Sequence, residues 1–294
     1  MKQRKQNRTW LIAVALLLLL AAAAAIFLYS RQRTSPDVPA FGDAHAQIAV
    51  HFVDVGQGDC AVVETPDGNI LIDAGTKQSE AAIKRYIDDL GITKFAYAIF
   101  THPHTDHIGS AAALVEAYPM DCIVMPNAAS TSKTFEALIT AIEQSDARIV
   151  EGKAGKQLTL GALTIDLLAP CRDYDDLNNM SVVALLTYGD GTFLFTGDAE
   201  ALSETDMLEN GVPACDVLKV GHHGSSTSSS EEFIAAVSPQ IAVISVGEGN
   251  SYGHPHASTL ERLAEHGVQV LRTDISGSIT VTCDGKQFAF ETEK

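Results

Sequence analysis

His102-Pro103-His104-Thr105-Asp106-His107 places four potential metal ligands within six residues, directly after the apolar run Phe95 to Thr101. Side chains two apart in an extended segment point to the same side, so His102 and His104 can share one ion. Asp106 and His107 are neighbours and converge only if the chain leaves the strand there. A helix over Ile108 to Tyr118, Gly109 aside, would supply that turn. Two ligand pairs then face two adjacent positions. Imidazole together with carboxylate suits zinc, manganese or iron better than calcium or magnesium alone, so the expected cofactor is one or two divalent ions, zinc or manganese. A histidine-rich surface loop is the bland alternative, and the residues downstream weigh against it.

Asp198 ends an apolar strand just after Gly197, where a carboxylate either caps the helix beginning near Ala199 or binds a cation. His222 and His223 follow the apolar strand Asp216 to Val220. As neighbours they point apart. We assign His222 to the metal and His223 to substrate. His254, in the glycine-bent loop before the helix from Ala257, is a candidate substrate contact or proton donor, and His256 equally a helix-start residue. Ser225 to Ser230 reads as a polar loop and helix cap whose amides could hold an anion. His45, His51 and His266 carry no chemistry in this reading.

The elements that must position these groups fall into two similar halves. Ala61 to Glu64 and Asn69 to Ile72 flank Pro66-Asp67-Gly68 and end at Asp73; Val182 to Thr187 and Thr192 to Thr196 flank Gly189-Asp190-Gly191 and end at Asp198. Helices and single strands follow each hairpin: Ser79 to Leu90 then Phe95 to Thr101, and Ala201 to Glu209 then Asp216 to Val220. Ser230 to Val237, Ile241 to Val246, Ala257 to His266 and Val268 to Arg272 continue the alternation. Strands apolar at nearly every position imply sheets covered on both faces, a layered α/β sandwich.

The string at 102–107 resembles the HxHxDH signature of the metallo-β-lactamase superfamily. Val53 to Asp59, Leu71 to Gly75, Phe195 to Asp198, Leu218 to Ser225 and Tyr252 to His256 follow in the order seen in the C-terminal domain of ComEC-type competence proteins, from about Ile48 to the end. The resemblance implies a four-layer αββα fold with the site at one edge, where strand ends from both halves meet. It implies that Asp198 bridges two metals and that Asp73 orients the His/Asp cluster from behind. One departure stands out: no histidine lies between His107 and His222, where many superfamily hydrolases carry one. Asn178-Asn179-Met180-Ser181 stands there instead, as in the ComEC-like branch. The first metal would have His102, His104 and Asp198, plus water or a weak amide ligand from Asn179. Hydrolysis is the reaction such a site supports, and the resemblance favours phosphodiesters over lactams or lactones.

The chain divides into a basic N-terminus (1–9), an uncharged apolar stretch from Trp10 to Tyr29, a tether (30–46) and one hydrolase domain (47–294). Twenty residues of helix span roughly 30 Å, the thickness of a bilayer's hydrocarbon core. Lys2, Arg4, Lys5 and Arg8 would hold residues 1–9 in the cytoplasm and send the domain outward, against Arg31 and Arg33 on the far side. A cleaved signal peptide ending near Ala44-His45-Ala46 is the competing reading, and both place the domain outside the cytoplasmic membrane. Residues 1–46 hold six of the twenty basic and two of the thirty-seven acidic residues, which leaves 14 against 35, or −21, on the domain. Such a charge argues against a broad DNA-gripping face without excluding a phosphate substrate. Five scattered cysteines, with no CxxC pair, form no zinc-finger or redox motif. Three functions remain in view: an extracellular phosphodiesterase or DNA nuclease, a hydrolase of phosphorylcholine or another envelope phosphoester, and a non-catalytic binding domain working with proteins of DNA uptake or envelope assembly. With one apolar segment the chain forms no channel alone.

Overall fold

Strands apolar on both faces need cover on both faces, and the computed structural model, which describes residues 47–294, provides it with two facing sheets and helices outside them. In chain order the first strands are β1 (Ile48–Phe52), β2 (Ala61–Thr65), β3 (Gly68–Ile72), β4 (Phe95–Ile99), β5 (Met120–Met125) and β6 (Arg148–Glu151). Next come β7 (Gln157–Leu160), β8 (Leu163–Ala169), β9 (Val183–Tyr188), β10 (Gly191–Phe195), β11 (Val217–Lys219), β12 (Ile241–Ile244) and β13 (Gln269–Arg272). The last are β14 (Ile279–Cys283) and β15 (Phe288–Thr292). One sheet runs β15-β14-β1-β2-β3-β4-β5-β6 and the other β13-β12-β11-β10-β9-β8-β7.

The two halves share a plan. β2 and β3 form an antiparallel hairpin, after which β3, β4, β5 and β6 are parallel. β9 and β10 repeat the hairpin, and β10, β11, β12 and β13 are parallel in turn. Parallel strands deliver their C-terminal ends to one edge. Asp73 follows β3, His102 lies just past β4, Asp198 past β10 and His222 past β11, so the hairpin-plus-parallel plan carries the chemistry-bearing residues to common ground.

Between the sheets lies a core that includes Val50, Phe52, Val63 and Ile72 from one side and Ile165, Leu186, Phe193 and Phe195 from the other. Phe52 stacks on Phe195 across this seam, with centroids 5.8 Å apart and planes 23° apart. Helices α1 (Glu80–Asp89), α2 (Thr105–Ile108), α3 (Ala111–Ala117) and α4 (Lys133–Glu143) bury Ile83, Ile87, Ile108, Leu114 and Leu138 on the outer face of the first sheet. Helices α5 (Ala201–Glu209), α6 (Glu231–Val237) and α7 (Ala257–Glu265) bury Met207, Phe233, Ile234 and Leu263 on the second. A last short helix, α8 (Thr273–Ser276), follows β13.

Two differences from the sequence-based expectation have physical reasons. The helix expected over Ile108 to Tyr118 runs only over Ala111–Ala117, after the separate turn of helix Thr105–Ile108, and Gly109 between them passes so close to another segment that a Cβ there would lie 2.4 Å from the Lys77 amide nitrogen. The closing hairpin β14-β15 returns to the first sheet, where β14 pairs antiparallel with β1. The expected membrane segment and tether lie outside the described residues. Among the described residues, no helix is long and apolar enough to cross a membrane.

Since Phe195 bridges the two sheets, Phe195→Ala should destabilise the domain by about 3–5 kcal/mol. A urea titration followed by circular dichroism would read this as a lower midpoint; an unchanged midpoint would mean the seam is not the main core.

Candidate metal centre

Each candidate reaches the edge by a distinct local device. His102 and His104 extend β4 beyond its last ladder bond, and the His104 carbonyl then accepts the amides of His107 and Ile108, turning the chain into α2. That turn swings Asp106 and His107 back toward the strand ends. Gly197 has φ +52°, and a Cβ on it would stand 2.9 Å from Thr101, so only glycine lets Asp198 enter here. His222 and His223 sit in a short 3-10 turn after β11 with φ of +48° and +54°.

Two groups of donors share Asp198. His102, His104 and Asp198 form one; Asp106, His107, Asp198 and His223 form the other, with the donor atoms of each group all within 4.8 Å of one another. His102 Nε2 lies 3.0 Å from His104 Nδ1 and 3.8 Å from Asp198 Oδ2. His107 Nε2 lies 3.1 Å from Asp198 Oδ1, and His223 Nε2 lies 3.8 Å from that oxygen and 3.3 Å from Asp106 Oδ2. The carboxylate thus presents one oxygen to each group.

Behind the donors, a second set of residues fixes which ring nitrogen faces forward. Asp73, itself at φ +57°, accepts from the Thr101 amide, the Thr101 hydroxyl and His107 Nδ1, each at 2.7 Å. His223 Nδ1 donates to the Ser245 carbonyl at 2.9 Å. His102 Nδ1 faces the hydroxyls of Thr101 at 3.2 Å and Ser181 at 3.3 Å. With Nδ1 of His102, His107 and His223 held from behind, Nε2 is left as the forward donor on these three rings, the arrangement a metal-bound imidazole requires.

The electrostatics call for positive charge at this spot. Asp59, Asp73 and Asp198 are buried, and Lys219 is the one buried lysine among the described residues. Its Nζ lies 2.7 Å from Asp59 Oδ2 and donates to the Val220 carbonyl. Burial acts to raise Asp59, but Lys219 and His223 bring it down to about 2. Burial likewise opposes the ionised Asp198, yet His107 and His223 hold it well below the usual carboxylate range. Burial would lower His223, but Asp198 and Asp59 push it up to about 10. Burial and the neighbouring His107 keep His102 well below the usual histidine range. His107 Nε2 and Asp198 Oδ1, both buried, face each other without a well-formed hydrogen bond. Divalent ions would answer both the excess of carboxylate and the orphaned donor atoms while leaving the imidazoles neutral. The residues fit the group.

The structure places the two adjacent histidines differently from the expectation. His223, not His222, joins the donor cluster, because the left-handed turn after β11 points His223 inward, where it is buried. His222 is half-buried; its Nδ1 meets Glu200 Oε1 at 3.0 Å and its Nε2 stands 3.7 Å from Asp198 Oδ2. The weak amide ligand expected from Asn179 is also absent: Asn179 Oδ1 accepts from the Glu200 and Ser203 amides, and its Nδ2 donates to Asp176. Asn179 thereby caps helix α5 in place of Asp198. Asp59, Lys219, Ser181 and Ser245 are the residues that sequence reasoning missed. A lysine inside the apolar run of β11 was the available signal for the first two.

The cluster floors an open pocket of about 300 Å³ lined in part by Gln57, Ser130, Asn178, His222, Tyr252 and His254. Among the described residues, no lysine or arginine lines it. Burial and the nearby His223 and His222 push His254 down to about 4.

Residues 53–248, well over half of the chain, match the metallo-beta-lactamase superfamily. The chain belongs to that superfamily. Within it, the chain is 34% identical over 251 residues to ComE operon protein 3 of Bacillus subtilis (strain 168), covering 78% of this chain and 32% of that protein. It is 30% identical over 241 residues to competence protein ComA of Neisseria gonorrhoeae, with coverage of 79% and 32%. This chain therefore spans about a third of the length of the curated relatives it matches. The diiron β-hydroxylase CmlA from Streptomyces venezuelae shares the fold at a TM-score of 0.57 and 13% identity, over 81% of this chain and 54% of that one.

Two outcomes are expected from substitution. His223→Ala should bind less metal by elemental analysis than the unaltered chain, and Asp73→Asn should weaken metal affinity about 10–100-fold, whereas His222→Ala should hold its metal; the opposite ranking of the two histidines would reverse the assignment. Lys219→Met strands a buried Asp59 and should cost about 3–5 kcal/mol, read as a shift in the denaturation midpoint.

Proposed function

We propose that this chain is a metal-dependent phosphodiesterase displayed on the outer side of the cytoplasmic membrane by the apolar segment Trp10 to Tyr29. The observation that carries the catalytic half of this reading is Asp198, whose two oxygens face two separate donor sets. Divalent ions bound there, zinc or manganese, would lower the pKa of a water and stabilise both the attacking and the leaving oxygens of an in-line displacement.

The protein's own groups do the rest. With ions bound, Asp73 and the Ser245 carbonyl would fix the tautomers of His107 and His223, so that these rings turn lone pairs rather than protons to the site. His222 and His254, with ring centroids 5.6 Å apart, stand at the pocket wall beside the cluster, His222 placed to protonate a leaving alkoxide and His254 to hydrogen-bond the substrate. His254 meets the substrate as a neutral ring, since its neighbours disfavour its proton. Ser130, Ser132 and Asn178 offer hydroxyl and amide groups to the substrate's remaining oxygens.

A nucleic acid strand is the substrate best supported, given relatives that include a competence protein. A phosphorylcholine or other envelope phosphoester is the second reading, favoured by the −21 charge of the domain, which repels an extended polyanion. Action alongside membrane proteins of DNA uptake follows from the first reading, since the matched relatives are about three times longer than this match.

The purified full-length chain should hydrolyse bis-p-nitrophenyl phosphate, lose that activity on chelation and regain it with Mn²⁺ or Zn²⁺. Turnover of linear DNA against p-nitrophenyl phosphorylcholine then chooses the substrate. A metal-loaded protein inert toward every diester would defeat the phosphodiesterase reading, and protease resistance of the domain in intact cells would defeat the outward orientation.

A further inference from the structure

Tyr252 is 66% exposed, more than any other large hydrophobic or aromatic side chain among the described residues. It stands at the pocket that holds the metal-donor cluster. Its exposure is not the slackness of a loose loop. Asn250 Oδ1 accepts the backbone amides of Tyr252 and His254, both at 3.1 Å, and Asn250 Nδ2 donates to the carbonyls of Gly247 at 3.0 Å and His254 at 2.6 Å. The Gly247 amide donates to Gln57 Oε1 at 3.2 Å, which ties the loop to the first half of the fold. One side chain therefore satisfies both ends of the turn that carries the tyrosine, and the ring is held out in water by design of the backbone.

The ring is also part of a series. Tyr252 stacks on His254 with centroids 5.7 Å apart and planes 24° apart, and His254 stacks on His223 at 6.4 Å and 29°. Three rings, each tilted less than 30° from the next, lead from solvent to the donor cluster. His254 covers one face of Tyr252, and the exposure of the tyrosine leaves its other face for a further planar group.

The remaining pocket narrows what that group is. Apart from Tyr252, the pocket's one apolar side chain among the described residues is Pro103, so there is no trough for an acyl chain. A quaternary ammonium is recognised by several aromatic faces arranged as a cage, and the pocket has a single tyrosine. With no lysine or arginine in the lining, affinity beyond what the donor cluster and its ions supply has no basic side chain to draw on. An open aromatic face supplies it to a flat heterocycle, since every base has a π-face.

We propose that Tyr252 is a stacking platform for an unpaired nucleobase adjoining the phosphodiester held at the donor cluster, which makes single-stranded nucleic acid the preferred substrate class. This rests on the phosphodiesterase reading and extends it to the group beside the reacting phosphate. A base within a duplex already has both faces covered, so the platform discriminates against double strands without reading sequence. Stacking of one base contributes about 1–3 kcal/mol, which corresponds to about 5- to 150-fold in affinity.

The test uses the full-length chain, fluorescence anisotropy with a labelled oligothymidylate and with an abasic strand of the same length, and cleavage of both strands with Mn²⁺. The unaltered protein should prefer the base-bearing strand by about tenfold, Tyr252→Phe should keep that preference, and Tyr252→Ala should erase it. Equal affinity for the two strands, a preference that survives in Tyr252→Ala, or binding of neither strand would overturn the platform. Cleavage without base preference would overturn it while leaving the phosphodiesterase standing, and base preference without cleavage would uphold the platform and remove the phosphodiesterase.

Discussion

Buried carboxylate needs nearby positive charge, and that requirement shapes the edge where the two sheets meet. Asp59, Asp73 and Asp198 lie within reach of one another's histidines, and a single lysine ammonium answers one of them. Left unanswered, each of the others would carry a desolvation penalty of several kcal/mol. The fold tolerates them because the same rings that they orient offer nitrogen donors to ions of double charge. Stability and cofactor affinity are thus coupled: what would be a defect of the bare protein is the source of its grip on metal.

Backbone strain is concentrated at the same place. Asp73, His222 and His223 are three of five non-glycine residues with positive φ among the described residues. Each such position costs on the order of 1–3 kcal/mol, and each is held by bonds from a different element, Thr101 for Asp73, Ser245 for His223 and Glu200 for His222. The left-handed pair after β11 is what separates two adjacent imidazoles, so that one enters the donor cluster and its neighbour faces the pocket. An extended or helical backbone there would have sent them to other positions.

That pair also shows where sequence reasoning runs out. The donor string at 102–107, the hairpins ending at Asp73 and Asp198 and the alternation of helix and strand after Ala201 were legible because spacing and apolar runs report on local geometry. Which of His222 and His223 points inward depends on two φ angles that no local pattern reports. Asn179 was readable as an amide near the site, but its engagement with the first turn of α5 depends on a helix more than twenty residues on. Lys219 hid inside an apolar run, where a charge has meaning only once Asp59 from the other sheet is placed beside it. The strands from Met120 to Ala169 went unassigned although Gly155 and Gly161 mark two of the turns between them, and the pairing of β14 with β1 is a matter of topology rather than of pattern.

The return of β14 to β1 has a consequence for how this protein comes into being. His51 meets Thr280 across 229 residues of chain, so β1 waits for a strand near the end of the described residues before its second edge is paired. Contacts so distant in sequence are slow to close, and an open strand edge is a template for association with other chains. During synthesis the first sheet therefore passes through a long interval with β1 unpaired on one side. The cellular machinery that handles the nascent chain, rather than the finished fold, bears the task of keeping that edge apart from its neighbours.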